Sequence, residues 1–136
     1  MKLYDQRTEQ FFMSQTGDIL IVDDSGTNLF LLQRLLEDEG YSVIITEDPK
    51  KGLDYVDKHS GIRLILLDIM MPQLDGFEFM KRLSDRGKIT EIPVIIVTAR
   101  DDSQSHQKAM DLGAKDYIEK PLNIKKVLDT IQYHIS

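Results

Sequence analysis

Short unbroken apolar runs alternate with amphipathic stretches from Asp18 onward, a pattern that predicts strands separated by helices. Ile19 to Val22 is apolar at every position, as in a strand buried on both faces of a parallel sheet. Leu29, Leu32, Leu35 and Leu36 then recur at helical spacing, and Gly40 stops that helix. Tyr41 to Thr46 is rich in β-branched residues and predicts a second strand. Pro49 suits a first helical turn and opens a weaker helix reaching His59. Arg63 to Leu67 is the third strand and runs into Asp68. Met70 to Gly76 reads as a loop, with Asp75-Gly76 as a turn that starts a helix from Phe77 to Arg86. Pro93 to Val97 predicts a fourth strand ending on Thr98, and a polar helix then covers Asp102 to Leu112 before Gly113. Asp116 to Glu119 is a short fifth strand, and Asn123 to Ile135 is a last helix carrying Ile124, Val127, Leu128 and Ile131. Five strands separated by helices imply right-handed crossovers and a three-layer parallel sheet.

Residues 1–17 stand apart as an N-terminal extension, helical or disordered, ahead of a domain over 18–136. They are largely polar, with a Phe11-Phe12-Met13 cluster, and they end at Gly17. A chain of 136 residues suits one domain that buries about two-thirds of its unfolded surface. The absence of cysteine excludes disulfides, thiolate metal sites and cysteine nucleophiles. No signal peptide or membrane-length apolar run is visible, so a cytoplasmic protein is the expectation. A net charge of −6 argues against a large nucleic-acid footprint.

The chemistry gathers where the strands end. Asp23-Asp24 follow ILIV, Asp68 follows LILL, Thr98 closes the fourth strand, and Lys120 follows the fifth. In an open parallel sheet those carboxyl ends form the ligand-binding edge. Carboxylates crowded there repel one another unless a cation joins them, and a hard divalent ion with oxygen ligands is the natural partner. Asp68 is placed to act as a carboxylate nucleophile toward phosphorus. Phosphoryl transfer spreads charge over three equatorial oxygens, so the site must supply positive charge and hydrogen-bond donors. Asp24, with Asp23 behind it, would hold Mg²⁺; Lys120 would neutralise one phosphoryl oxygen, and the Thr98 hydroxyl would donate to another.

The acidic pair in ILIVDD, the segment LLDIMMPQLDGFEF, the triplet VTA at Val97 to Ala99, and DYIEKP at Asp116 to Pro121 resemble the hallmarks of response-regulator receiver domains. The intervals fit as well: 44 residues from Asp24 to Asp68, 30 to Thr98 and 22 to Lys120. The resemblance covers Asp18 to Ile135 and implies a flavodoxin-like (βα)5 sandwich with strand order 2-1-3-4-5. It implies that Asp68 takes a phosphoryl group from a sensor histidine kinase or histidine phosphotransfer protein. Mg²⁺, for which Mn²⁺ can substitute, would be held by Asp24, Asp68 and the backbone carbonyl of Met70, with Asp23 acting mainly through water. The Lys120-Pro121 peptide would be cis.

By the same resemblance Thr98 and Tyr117 form the switch. On phosphorylation the hydroxyl would move to the phosphoryl group, and Tyr117 would turn into the vacated space. The readout would be a repacked surface of the fourth helix, fifth strand and last helix, offered to an unknown downstream protein or to a second copy of the chain in a phosphorylation-dependent dimer. Direct nucleic-acid contact and membrane insertion are not expected. Met70 and Arg100 flank the site where such domains tune the attack of water. The segment GAKDYIEKPL departs from the GADDY…KPF form common in winged-helix regulators, which bears on a charge-paired dimer surface.

The resemblance also implies a signalling phospho-acceptor, with self-catalysed phosphorylation and dephosphorylation only, in place of an enzyme. The 16 residues after Lys120 suffice for the last helix, which suits a stand-alone regulator or a receiver from a hybrid kinase or multi-domain regulator. An aspartyl-phosphate phosphohydrolase of the haloacid-dehalogenase type would need an aspartate where Met70 stands. A nucleotide-binding module would need a glycine-rich phosphate loop after the first strand. His59, His106 and His134 lack metal-ligand spacing and read as surface residues.

Overall fold

The computed structural model describes residues 18–72, 74–100 and 102–135, so the expected extension at 1–17 lies outside the described residues. In chain order the elements are β1 (Asp18–Val22), α1 (Gly26–Asp38), β2 (Ser42–Thr46), α2 (Pro49–Lys58) and β3 (Ile62–Leu67). After them come α3 (Gly76–Asp85), β4 (Val94–Thr98), α4 (Ser103–Asp111), β5 (Asp116–Glu119) and α5 (Ile124–Ile135). The strands form one parallel sheet in the order β2-β1-β3-β4-β5, as the resemblance implied. β1 is an inner strand, pairing Val22 with Thr46 of β2 on one side and with Leu67 of β3 on the other.

The unbroken apolar runs have a direct cause in this arrangement. Leu20 and Val22 face a core closed by Leu53 and Val56 of α2, Phe77, Phe79, Met80 and Leu83 of α3, and Ala109 of α4. Ile19 and Ile21 face the opposite layer, closed by Leu29, Leu32 and Leu36 of α1 with Val127 and Ile131 of α5. Each buried leucine or isoleucine contributes about 1.5–3 kcal/mol relative to exposure, so both faces of β1 must be apolar. Phe79 is fully buried, and its truncation to alanine would cost about 3–5 kcal/mol.

Polar residues set the helix starts. Ser25, Asp48, Asp75 and Asp102 are N-caps whose side chains accept backbone N–H groups of the first turn. Gly113 follows the C-cap of α4 at φ +111°, a left-handed conformation that suits glycine, and the chain turns there into β5.

Candidate functional site

Three carboxylates meet where β1 and β3 end. Asp23 follows Val22, and its N–H bonds to the Thr46 carbonyl at 3.2 Å, while the Asp68 N–H bonds to the Val22 carbonyl at 3.0 Å. These sheet bonds carry one residue past each strand and bring Asp23, Asp24 and Asp68 together, with one carboxylate oxygen from each within 4.8 Å of the others. Asp23 and Asp68 are buried, whereas Asp24 is exposed. A cavity of about 230 Å³ lined by Asp24, Glu47, Asp48, Pro49 and Pro72 opens beside the cluster.

Lys120 enters from the far side. Its N–H bonds to the Thr98 carbonyl at 2.8 Å, which extends the β4–β5 pairing by one residue. Its Nζ donates to Asp23 Oδ2 at 2.9 Å and to Asp68 Oδ2 at 3.0 Å. The Lys120-Pro121 peptide is cis. Burial works against the ammonium charge, but the hydrogen bonds to Asp23 and Asp68 outweigh it and hold Lys120 above the ordinary lysine range. For Asp23, burial raises the carboxyl above its ordinary value. The bonds from Lys120 and the Ser25 N–H offset that rise only in part, and the nearby Asp68 charge adds to it.

The other oxygens of the buried pair are held locally. Asp23 Oδ1 accepts the Ser25 N–H at 2.9 Å, and Asp68 Oδ1 accepts the Met70 N–H at 2.8 Å. Ser25, not the acidic pair, caps α1, accepting the Asn28 N–H at 3.4 Å. The Met70 side chain is exposed, and so is that of Arg100. Thr98 is fully buried at the end of β4, and its Oγ1 accepts the Arg100 N–H at 3.4 Å. Tyr117 is buried, and its hydroxyl donates to the Arg100 carbonyl. The ring therefore already lies inward in this structure.

Hard oxygen donors from three carboxylates suit a hard divalent cation, and a lysine beside them suits an anion carried next to that cation. Among the described residues no helix is long and apolar enough to cross a membrane.

Sequence spacing leaves several neighbours of the site unmarked. His106 stacks on Tyr117, with ring centroids 4.6 Å apart. His134 corrects its expected placement on the surface. Its side chain is only 14% exposed, and Nε2 lies 3.1 Å from Asp116 Oδ2. Helix α5 returns its last turn to the start of β5, which burial patterning along one helix does not reveal. Gly76, expected only to start a helix, abuts the backbone of Asp68 and Ile69.

The sequence matches the family model described as "Response regulator receiver domain" over residues 19–132. It is 42% identical over 118 residues to the uncharacterized transcriptional regulatory protein YkoG of Bacillus subtilis, a match spanning 87% of this chain and 50% of that protein. It is 36% identical over 113 residues to protein PilH of Pseudomonas aeruginosa, spanning 83% of this chain and 93% of PilH. The chain spans about half the length of the transcriptional regulators it matches, YkoG and Escherichia coli CpxR among them. Among solved structures, the Vibrio cholerae chemotaxis protein CheY4 superposes with a TM-score of 0.81 at 28% identity, covering 87% of this chain and 98% of CheY4. Sequence, sheet order and these likenesses agree, and the chain belongs to the response-regulator receiver domain family.

Proposed function

We propose that Asp68 is the phospho-acceptor of this receiver and that Asp23, Asp24, Asp68 and the Met70 backbone carbonyl hold Mg²⁺. The observation that carries the reading is the Lys120 ammonium, 3.0 Å from Asp68 and bonded also to Asp23 inside a cluster of three carboxylates. When bound, Mg²⁺ supplies positive charge to the phosphoryl oxygens.

An Asp68 oxygen attacks phosphorus and forms an acyl phosphate. The P–N bond of a phosphohistidine donor breaks, and the imidazole leaves with the electron pair. Lys120 follows the developing charge and binds a phosphoryl oxygen. Thr98 gives its hydroxyl to another, exchanging a local contact with the Arg100 N–H for one with the phosphoryl group. Met70, whose N–H bonds to Asp68, and Arg100, whose N–H bonds to Thr98, are both exposed and set how readily water reaches the phosphoryl group.

The donor is a histidine kinase or histidine phosphotransfer protein. The readout is the surface of α4, β5 and α5 around Tyr117, presented to a downstream protein or to a second copy of the chain, from the cytoplasm. The chain acts as a signalling module whose chemistry is confined to its own Asp68, whether it stands alone or belongs to a longer regulator.

The test is intact mass after incubation with acetyl phosphate. One added phosphoryl group should appear only with Mg²⁺ or Mn²⁺, and Asp68→Asn should remove it with the fold intact. Undiminished uptake by Asp68→Asn would overturn the acceptor assignment.

A further inference from the structure

Two contacts of Tyr117 depend on where its ring lies. Its hydroxyl donates to the Arg100 carbonyl, and its ring stacks on the His106 imidazole, with centroids 4.6 Å apart and planes 21° from parallel. Turning the side chain outward about its Cα–Cβ bond to another staggered position would break both.

The hydroxyl contact leads to the phosphoryl site. Arg100 accepts Tyr117 at its carbonyl and gives its N–H to Thr98 Oγ1 at 3.4 Å, so one residue's main chain touches both switch side chains. The ring contact comes from the first turn of α4, which is held firmly. Asp102 Oδ1 accepts the Ser105 N–H at 2.7 Å, and the Asp102 carbonyl accepts the His106 N–H at 3.2 Å. Arg100 Nη1 lies 3.4 Å from Oγ of the buried Ser105, which ties the segment after β4 to the same turn. His106 itself is exposed, whereas the Tyr117 residue it covers is only 7% exposed.

We infer that His106 is a positioning residue for the Tyr117 ring, holding it inward at rest and so preparing the Asp68 site for a phosphoryl group. The inference rests on the receiver reading above and adds to it a residue outside the phosphoryl site. The stack acts through the ring faces and needs no charge on the imidazole. By the receiver reading, phosphoryl binding draws the Thr98 hydroxyl from Arg100 and is accompanied by an inward Tyr117. A contact that already populates the inward ring therefore favours that binding, in proportion to the inward fraction it maintains.

The test compares the full-length wild type with His106→Ala and His106→Phe at one fixed pH. Position 106 is exposed and alanine favours helix, so both variants should fold, as circular dichroism checks. Scalar couplings about the Tyr117 Cα–Cβ bond give the inward fraction without ligand. In His106→Ala the ratio of inward to outward ring should fall about fivefold, the order of one aromatic contact. His106→Phe, which restores a ring without the imidazole nitrogens, should recover it. Mg²⁺–beryllofluoride affinity should fall in His106→Ala by the ratio of the two inward fractions. In a Tyr117→Ala background, His106→Ala should leave that affinity unchanged. An unaltered ring population in His106→Ala would overturn the inference, as would an affinity that ignores the loss of inward ring or falls equally without Tyr117. Failure of the wild type to bind beryllofluoride would count against the receiver reading, and the ring population would then decide the role of His106.

Discussion

Lys120 Nζ lies 2.9 Å from Asp23 Oδ2, although 97 residues separate the two in the chain. The same ammonium reaches Asp68, so one cation compensates two buried carboxylates. Replacing it with an apolar stem of similar length, Lys120→Met, leaves both acids without that charge. Urea unfolding without metal should show a loss of about 2 kcal/mol, less than for a fully dry pair because Lys120 keeps some solvent contact. Added Mg²⁺ should narrow the gap. Phosphoryl uptake should fall about a hundredfold, as when a transition-state donor is removed.

The pH dependence of the metal-free chain has two parts, one at each end of the pH range, and both lower stability as pH rises. Lys120 is raised in the folded state, so its contribution is complete below the ordinary lysine value of 10.5 and is lost as pH rises through the higher folded value. Asp23 is also raised, the reverse of a paired surface aspartate. Its ionisation therefore costs stability, and that cost grows as pH rises from the ordinary 3.8 through the folded value. Asp23→Asn should be more stable than the wild type at neutral pH without metal, and the difference should shrink toward pH 3.8. Thermal unfolding across the acid range checks the direction.

Gly76 should tolerate no side chain. A Cβ there would stand 2.6 Å from the Ile69 Cα and 2.9 Å from the Asp68 carbonyl oxygen, and neither backbone atom can yield without moving the loop that follows β3. Gly76→Ala should destabilise by about 2–4 kcal/mol in urea titration and slow phosphoryl uptake. Gly61→Ala, where a Cβ meets nothing within 4 Å, should change stability by about 0.5 kcal/mol or less.

Arg86 reaches Asp57 with Nε–Oδ1 at 2.8 Å and Nη2–Oδ2 at 3.3 Å, joining α3 to α2. Both side chains are about a third or more exposed, at 33% and 44%. Asp57→Ala should therefore cost no more than about 1 kcal/mol, and less in high salt, by urea unfolding.

Local chemistry made the elements legible in advance. Asp116–Glu119 of β5 is as expected, and the other strands and α3 to α5 differ from expectation by about one residue at either end, because caps such as Asp75 and stops such as Gly113 act within one turn. The parallel sheet was legible for a related reason. Ile19 to Val22 has no polar position, which only burial on two faces requires, and α1 and α5 do close one face while α2 to α4 close the other. The cluster of Asp23, Asp24 and Asp68 followed from strand ends lying along one sheet edge.

What the sequence by itself determined, then, is whatever depends on near neighbours: strand and helix identity, their order, and which acids stand at strand ends. Tertiary structure decided which distant side chains face one another. Strand order set Lys120 between Asp23 and Asp68, each hydrogen bond needing two atoms to meet within about 3 Å. Helix packing carried His134 to Asp116 and His106 to Tyr117, and pressed Gly76 against the backbone of Asp68 and Ile69. Such pairings leave no periodic trace in the chain, because each is a single contact made by the docking of whole elements.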